Sequence, residues 1–362
     1  MTDPASSGSV RAGSANVVGA GLIGGSVGLA LRAKGWSVSI TDVDDAVAAE
    51  AVELGAADAV GFDEAADVTF IATPVGSIAE LAIDALARTS GPVTDVGSTK
   101  LDIVHAIGNP RFVGGHPMAG SEQDGIIGAK STLFEGAMWV LTPTESTDEG
   151  SFSKVRSIVR SFGAESTTLT PRTHDQMVAQ VSHVPHLTAA SLMILADDMS
   201  IEHRALFRLA AGGFRDMTRI SAGRPSIWPD ICVANKTAIV KGLDGLISQL
   251  GVIRERVDLE DREGMLELLT RARAARVNLP TGFGPADLMT EVAVPMPDRP
   301  GEIATIATLA SELDVNIFDL EITHSGEGRR GVMMMVVARE QCERLMGGLI
   351  ARGYRPTSSD LD

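Results

Sequence analysis

Short apolar segments alternate with longer helix-forming segments along the first 170 residues of the chain. Short strands that alternate with helices are typical of a parallel sheet that carries helices on both faces. The pattern therefore predicts a doubly wound α/β domain over residues 15–170. Its strands are predicted at 16–18, 38–42, 68–72, 93–95, 112–114 and 138–142.

The pattern changes at residue 171, where apolar residues begin to recur at helical spacing. Two such series are Met177, Val181, Val184 and Leu187, and Ile239, Leu243, Leu246 and Leu250. The spacing predicts an all-helical domain over 171–280. Within it, we expect Pro185 to kink or interrupt the first helix and residues 254–277 to form one charged helix. The long apolar faces make this domain a candidate dimer interface.

A segment with two glycines and a proline, 281–286, is predicted to be a linker to a third domain at 287–362. Residues 288–352 show the order strand, helix, strand, strand, helix, which is typical of a ferredoxin-like α+β fold. Residues 1–14 are rich in serine, glycine and alanine, and we expect them to form a disordered tail.

Composition narrows the classes of function. The formal net charge is −16 at pH 7, and such a surface repels nucleic-acid phosphates and anionic lipids. The two cysteines, Cys232 and Cys342, lack the spacing of a disulfide framework or a zinc site. The sequence shows neither an apolar run near the roughly 18 residues of a membrane span nor a secretory signal. We therefore expect a cytoplasmic protein without nucleic-acid or membrane partners, in which an anionic substrate needs a local cluster of cations.

A glycine-rich turn follows the first predicted strand: Gly19, Ala20, Gly21, Leu22, Ile23 and Gly24. Glycines in this pattern permit a tight turn, the approach of a pyrophosphate and close helix–strand packing. Asp42 ends the next strand, where a carboxylate binds a ribose 2′-hydroxyl and repels a 2′-phosphate. The spacing indicates a Rossmann domain that binds NAD rather than NADP, with Thr73 and Pro74 also at the cofactor. The alternative is a glycine-rich turn without a ligand.

His116 lies in the glycine-rich segment 114–122, which we expect to form a loop after a strand. Histidine is the side chain most readily poised as a base near neutral pH, and open α/β sheets bind ligands at the carboxyl ends of their strands. Ser98, after the preceding strand, is expected to bridge His116 and a substrate oxygen. The alternatives are a histidine that packs the loop and a serine that caps a helix. A hydride acceptor beside a proton acceptor indicates an alcohol dehydrogenase.

Two later segments also combine reactive side chains. His183 and His186 are spaced to share a helix face, but no third ligand accompanies them, so we predict no metal site. Arg219 ends the segment 212–219, which contains two adjacent glycines. It either clamps a substrate carboxylate or forms a solvated salt bridge.

Six segments resemble the prephenate dehydrogenase family, in order, over residues 15–280: 19–26, 95–100, 114–122, 182–186, 212–219 and 227–231. The resemblance implies NAD-dependent oxidative decarboxylation of prephenate to 4-hydroxyphenylpyruvate in tyrosine biosynthesis, by a homodimer joined through the helical domain. It implies that His116 accepts the proton of the ring hydroxyl and that Ser98 hydrogen-bonds to both. The substrate-binding residues that it implies are Arg219, His186, Ser121 and Glu122.

Residues 288–357 resemble an ACT domain, a module that often binds an amino acid between two copies of itself. The resemblance rests on the segments 298–301 and 315–317. It implies regulation by an aromatic amino acid, with tyrosine expected from the pathway, and contacts from Asp298, Gly301 and Asn316. The alternative is a purely structural dimerising module.

Three other functions stay open. An arogenate dehydrogenase shares the fold but needs a carboxylate for the substrate amine, for which the candidates are Glu122, Asp124 and Asp216. A 3-hydroxyacid dehydrogenase relies on a lysine, for which Lys236 is a loose candidate, and that function leaves His116 without a role. A regulator that has lost catalysis has no need of His116, Ser98 and Arg219 together.

Overall fold

The computed structural model describes residues 13–121, 123, 125–203, 205–277, 288–297, 299–324 and 330–360. By its internal contacts the chain divides into two compact units. The first comprises the residues up to Leu195 together with Thr218–Leu246, and the second comprises Ala196–Met217 and Ile247 onward. The helical segment is thus shared between the units, and the predicted boundaries at 170 and 280 remain a prediction.

The first unit is built on an eight-stranded sheet with the strand order β3-β2-β1-β4-β5-β6-β7-β8. In chain order its elements are β1 (Ser14–Val18), α1 (Leu22–Ala33), β2 (Ser37–Thr41), α2 (Asp45–Glu53), β3 (Ala59–Val60), β4 (Val68–Ile71), α3 (Val75–Arg88), β5 (Val93–Asp95), α4 (Leu101–Ile107), β6 (Phe112–Pro117), β7 (Met138–Thr142), α5 (Glu149–Ser161) and β8 (Glu165–Thr168).

Helices cover both faces of this sheet, which confirms the doubly wound Rossmann-like prediction. Val27 and Leu31 of α1 share one buried cluster with Ile158 of α5, whereas Ile78 of α3 and Ile103 of α4 belong to another. The sheet is not wholly parallel, however, because β6 and β7 pair antiparallel. The alternation of strands and helices does not reveal strand direction, and the sequence analysis was wrong on this point.

The helical segment contains α6 (Pro171–Val178), α7 (Val184–Glu202), α8 (Gly212–Thr218), α9 (Trp228–Ala234), α10 (Lys236–Asp258) and α11 (Arg262–Val277). A π turn at Ala179–His183 joins α6 to α7. Pro185 thus widens the helix locally and does not interrupt it, since the proline ring excludes the carbonyl four residues earlier from its usual place. The single charged helix predicted at 254–277 is wrong, because the chain breaks at Glu260, which has φ +52°.

Helices α6 and α7, with the π turn, form a continuous helical stretch, Pro171–Glu202, with a mean hydropathy of 1.2 over its most apolar window. By length and composition alone this stretch meets the criteria for a membrane span, whereas the sequence analysis found no apolar run near that length. Core and interface helices of soluble proteins meet the same criteria, so the finding is weak evidence for a membrane. Apolar side chains such as Ile194 and Leu195 are more than half exposed.

The C-terminal part of the second unit is a four-stranded antiparallel sheet with the order β10-β11-β9-β12. Its elements are β9 (Met289–Pro297), α12 (Glu302–Glu312), β10 (Ile317–His324), β11 (Arg330–Ala338), α13 (Arg339–Ala351) and β12 (Thr357–Asp360). This is the ferredoxin-like order that the sequence predicted, completed by β12. Val292, Ile306, Met333 and Leu345 are fully buried in its core.

A buried ion pair fastens the carboxyl ends of β5 and β6. The side chains of Asp95 and Lys100 have no solvent exposure, and the Lys100 ammonium donates to Oδ2 of Asp95. Asp95 also accepts hydrogen bonds from the backbone N–H groups of Gly97, at 2.9 Å, and Gly115, at 3.0 Å. Burial lowers the pKa of Lys100, and the charge of Asp95 opposes that shift. One carboxylate therefore holds the turn after β5 against β6.

We predict that Lys100→Met destabilises the protein by about 3–5 kcal/mol, because it leaves the buried Asp95 charge without its partner. The measurement is the free energy of unfolding in urea. The matched control is Lys154→Met, which breaks the exposed ion pair with Asp67 (N–O distance 3.3 Å) and should cost less than about 1 kcal/mol. Equal effects of the two substitutions would contradict the prediction.

Candidate active site

The glycine-rich turn joins β1 to α1 at the centre of the sheet. Gly19 has φ +101°, and a Cβ atom there would lie 2.4 Å from the carbonyl oxygen of Ala72. A Cβ on Gly24 would lie 1.9 Å from the oxygen of Gly19. By contrast, apart from its two chain neighbours, no described residue has an atom within 4 Å of a Cβ built on Gly21, which is also the N-cap of α1. The turn thus has two positions that only glycine fits and one that is open to a pyrophosphate at a helix N-terminus.

The other residues assigned to the cofactor lie on the neighbouring strands. Asp42 directly follows β2, and its Oδ2 accepts a hydrogen bond from the N–H of Ala20 at 2.7 Å. Thr73 and Pro74 follow β4 after Ala72, with Pro74 as the N-cap of α3. Since β2, β1 and β4 are adjacent and parallel, these residues share one edge of the sheet. The half-buried Leu22 and Ile23 open α1 there.

His116 lies within a strand and not in a loop, so the predicted loop is wrong. Strand β6 continues to Pro117 because β7 pairs with it, and His116 is opposite Val140. The residue is only 9% exposed. Its Nδ1 lies 2.8 Å from Nε2 of His174, and among the described residues Nε2 of His116 has no hydrogen-bond partner. One ring nitrogen is thus held by the protein while the other is left for a ligand.

His174 continues the hydrogen-bond chain to Asp175. Both residues belong to α6 and are buried, and Nδ1 of His174 lies 2.7 Å from Oδ1 of Asp175. The sequence analysis missed both residues. The signal that was available is a His-Asp pair in an amphipathic helix, with His174 and Val178 one turn apart on its buried face.

The Asp175 carboxylate is held from several directions. It accepts hydrogen bonds from the N–H groups of Lys100, at 2.7 Å, and Leu101, at 2.9 Å. The backbone carbonyl of Asp175 accepts a hydrogen bond from Nδ2 of Asn235 at 2.8 Å. The start of α4 and the end of α9 are therefore anchored to the same residue of α6.

Ser98 lies in the turn between β5 and α4 and is half-buried. It follows Asp95 by three residues, and the Asp95 carboxylate bonds to Gly115, the neighbour of His116. The structure thus brings Ser98 and His116 to the same end of adjacent parallel strands, but among the described residues no hydrogen bond joins the two side chains.

His186, the first of the substrate-binding candidates, stacks on Trp228. The ring centroids are 3.6 Å apart and the planes differ by 13°. His183 meets the same indole edge-on at 6.0 Å, and its Nδ1 lies 3.3 Å from Nδ2 of Asn235. Among the residues that the structure describes, no group of three or more His, Cys, Asp or Glu side chains could hold a metal ion. The sequence analysis assigned no role to Trp228, although it included the segment 227–231 among the family motifs.

Arg219 is exposed and begins a 3-10 turn, Arg219–Ala222. This turn leads to Gly223, where a Cβ atom would lie 3.7 Å from Cε1 of His186. Both substrate-binding candidates therefore belong to one neighbourhood of the first unit.

The structure shows no contact of the remaining candidate residues with His116, His186 or Arg219 among the residues that it describes. Ser121 is exposed and its Oγ accepts from the N–H of Gln123 at 3.1 Å. Glu122 and Asp298 lie outside the described residues. Gly301 is the N-cap of α12, with φ +93°, whereas Asn316 follows the other end of that helix. Within one copy of the chain these two residues are about 16 Å apart along the helix axis.

Burial sets the protonation of the histidines. It lowers the pKa of His116 well below the ordinary value, and a positive charge on His174, Lys100 or His183 lowers it further. Burial also lowers the pKa of His183 to about 4, although Asp175 opposes the shift. The pKa of His186 is lowered by burial as well. At neutral pH His116 is therefore neutral and able to accept a proton.

We predict that the protein loses stability between pH 6.5 and pH 4. A histidine whose folded pKa is depressed stays neutral in the folded state, whereas the unfolded chain binds protons below about pH 6.5. For His183 the loss at pH 5 is at most about 2 kcal/mol. The measurement compares urea unfolding at pH 7 and pH 5. His183→Gln should reduce the difference, the exposed control His105→Gln should not, and equal wild-type stability at both pH values would refute the prediction.

Comparison with known proteins identifies the relatives of this chain. The nucleotide-binding domain of prephenate dehydrogenase matches residues 27–168, and the dimerization domain of the same family matches residues 170–271. The prephenate dehydrogenase of Bacillus subtilis (strain 168) is 34% identical over 335 residues, which cover 88% of this chain and 90% of that protein.

Solved structures give the same result. The prephenate dehydrogenase of Aquifex aeolicus, solved with hydroxyphenyl propionate and NAD+, is 30% identical, with a TM-score of 0.70 over 75% of this chain and 99% of that one. The arogenate dehydrogenase of Synechocystis is 31% identical, with a TM-score of 0.64 over 73% of this chain and 98% of that one. The Rossmann-like sheet and its glycine turn agree with these matches, and the chain belongs to the prephenate dehydrogenase family.

Proposed function

We propose that this protein oxidises prephenate with NAD and releases 4-hydroxyphenylpyruvate and carbon dioxide. The observation that carries the proposal is the geometry of His116, which is buried at the sheet edge with one nitrogen bonded to His174 and the other unpaired among the described residues. A neutral imidazole in that state is a general base for the hydroxyl proton at C4 of the substrate. Membership of the family supports the reaction class.

The chain's residues divide the work of the reaction. NAD, when bound, supplies the hydride acceptor. The glycine turn and the N-terminus of α1 bind its pyrophosphate, while Asp42 binds the ribose hydroxyl and disfavours a 2′-phosphate. His116 takes the hydroxyl proton, and Ser98 hydrogen-bonds the same oxygen. The electron pair left on oxygen forms the carbonyl as hydride leaves C4. The bond from C1 to the carboxylate then breaks, its electron pair makes the ring aromatic with the negative charge on the oxygen, and the proton held by His116 returns to that oxygen as carbon dioxide leaves.

The substrate is a dianion, and the protein has a net charge of −16. Binding therefore requires local cations, and we assign the ring carboxylate to Arg219, whose planar guanidinium matches a carboxylate. His186, oriented by its stacking on Trp228, is assigned to the side-chain end of the substrate. Ser121 and Glu122 are assigned to the pocket wall.

The test is NADH formation with prephenate by wild type and His116→Asn. Loss of a general base costs about 10²–10⁴-fold in rate, and we expect kcat to fall in that range while NAD binding, measured by fluorescence, is retained. His105→Asn, on the exposed side of α4, serves as the control with unchanged kcat. Wild-type turnover with arogenate but not prephenate would make the protein an arogenate dehydrogenase, and an unimpaired His116→Asn would remove His116 from the mechanism.

We further propose that the protein is a cytoplasmic homodimer. The name of the second matching domain, a dimerization domain, and the exposed apolar side chains of α7 and α10 support this. Large exposed apolar surfaces commonly mark protein interfaces. A second copy of the chain covers these helices in the proposed assembly.

The C-terminal sheet is proposed to bind an aromatic amino acid as a regulator. Beside Gly301 lies a cavity of about 740 Å³, bordered by Arg299, Arg352 and Arg355. The buried Glu302 orders its wall, accepting hydrogen bonds from Arg299 and, at 2.7 Å, from the Tyr354 hydroxyl. Arg299 is paired with Glu302, and Arg352 is paired with Glu312 at 2.8 Å, so we assign a ligand carboxylate to Arg355, whose guanidinium suits it. Because Asn316 lies at the far end of α12, a site that includes both Gly301 and Asn316 requires two copies of the chain.

We predict that tyrosine binds the full-length protein in calorimetry and changes its rate of NADH formation. Arg355→Ala should weaken binding about 10- to 100-fold, because a hydrogen bond to a charged group contributes about 1.5–3 kcal/mol. Phenylalanine and tryptophan are titrated in parallel. The exposed control Arg271→Ala, on α11, should bind like wild type. The absence of heat and of any change in rate with all three amino acids would contradict regulation of this kind.

A further inference from the structure

A continuous chain of hydrogen bonds connects the proposed base to a buried carboxylate. His116 Nδ1 lies 2.8 Å from His174 Nε2, and His174 Nδ1 lies 2.7 Å from Asp175 Oδ1. We propose that His174 and Asp175 are positioning residues that fix the tautomer and orientation of His116, so that its Nε2 presents a lone pair to the substrate hydroxyl. This inference rests on the proposed function, in which His116 is the base.

The tautomer of His116 follows from the hydrogen bonds of Asp175, at the buried end of the hydrogen-bond chain. The Asp175 carboxylate accepts hydrogen bonds at both oxygens, including those from the N–H groups of Lys100 and Leu101. In the proposed arrangement the His174 imidazole is neutral, so that Nδ1 donates to Asp175 and Nε2 is left as an acceptor, since a neutral imidazole has one donor and one acceptor nitrogen. His116 must then donate from Nδ1. Its Nε2 is left unprotonated, as a general base requires.

The same chain accommodates the charge that forms during reaction. The substrate O–H bond breaks as a bond forms between the proton and Nε2 of His116, and the electron pair stays on the substrate oxygen. His116 becomes an imidazolium with donors at both nitrogens, and its Nδ1–H bond to His174 becomes charge-assisted and stronger. The proton on His174 Nδ1 stays directed at Asp175. No second proton transfer is needed.

The Asp175 carboxylate, at the buried end of the hydrogen-bond chain, is held in one orientation. Asp175 is 3% exposed, and its main-chain carbonyl is held by Asn235. Its bonds to Lys100 and Leu101 also fix the start of α4, directly after the turn that carries Ser98. One side chain thus orients the base and restrains the segment of its proposed partner. The His116 and His174 rings meet edge to face, at 73° and 5.1 Å between centroids, so His174 also limits rotation of His116.

Three substitutions at His174 distinguish its contact with His116 from its contact with Asp175. In His174→Gln the amide can still accept from Nδ1 of His116, in His174→Asn the amide can reach only Asp175, and in His174→Phe neither contact exists. We expect kcat with prephenate to fall about 10²–10⁴-fold for Phe and Asn, a range that extends to the loss caused by a wrong histidine tautomer in other enzymes. Gln should recover at least tenfold of that loss. KM for prephenate and the affinity for NAD should change less than threefold.

Raising the pH should not restore the Phe and Asn variants, because their His116 is already neutral and has lost its preferred tautomer. The packing control is Val178→Ala, one turn farther along α6 and buried. It should lower the thermal midpoint while kcat changes less than twofold. Equal kcat for Gln, Asn and Phe, or recovery of kcat at high pH, would overturn the proposal.

A second readout does not depend on turnover. Ring ¹⁵N shifts of histidine-labelled protein should report the Nδ1–H tautomer for His116 in wild type, assigned by comparison with His116→Asn, and the Nε2–H tautomer or a mixture in His174→Phe. An unchanged tautomer in His174→Phe would overturn the positioning role. If wild type shows the expected tautomer and gives no NADH with prephenate, the proposed function fails while the hydrogen-bond chain stands.

Discussion

The carboxylate of Asp175 is the constraint on which the proposed active site depends. It joins α6 to the start of α4 through two backbone N–H groups, and it reaches β6 through His174. Buried polar networks of this kind are strongly stabilising when every member is paired, and costly when one partner is missing. The Rossmann-like sheet thus supplies the base and the helical segment supplies its orientation, and a substitution in either part affects both.

A second buried carboxylate, Asp95, performs the complementary task within the sheet. It restrains the turn that contains Ser98 and the backbone beside His116, and the Lys100 ammonium balances its charge. Placing these charges and imidazoles away from water strengthens every interaction among them. The same burial depresses the pKa of His116, so the imidazole is neutral at neutral pH.

Local features of this protein could be predicted from its sequence, and long-range ones could not. The glycine turn and Asp42 follow from spacing within one strand–helix–strand segment, because their geometry is determined by neighbouring residues. His174 and Asp175 lie 58 residues or more from the partners that give them a role, and no local pattern reports such a contact. The strand that contains His116 was mistaken for a loop for the same reason, since its pairing with β7 is a tertiary event.

The turn Ala179–His183 carries an implication for how this helix can change in length. A π turn holds one residue more than an α-helical turn, so deleting one residue from it would restore regular winding. Because the wide turn absorbs its extra residue locally, the helix that follows, including His186, would keep its phase relative to His174. A deletion in the regular α-helical turns between the two histidines would instead rotate His186 by about 100° about the helix axis. The π turn is therefore the place where this helix can lose a residue without turning its two histidines apart.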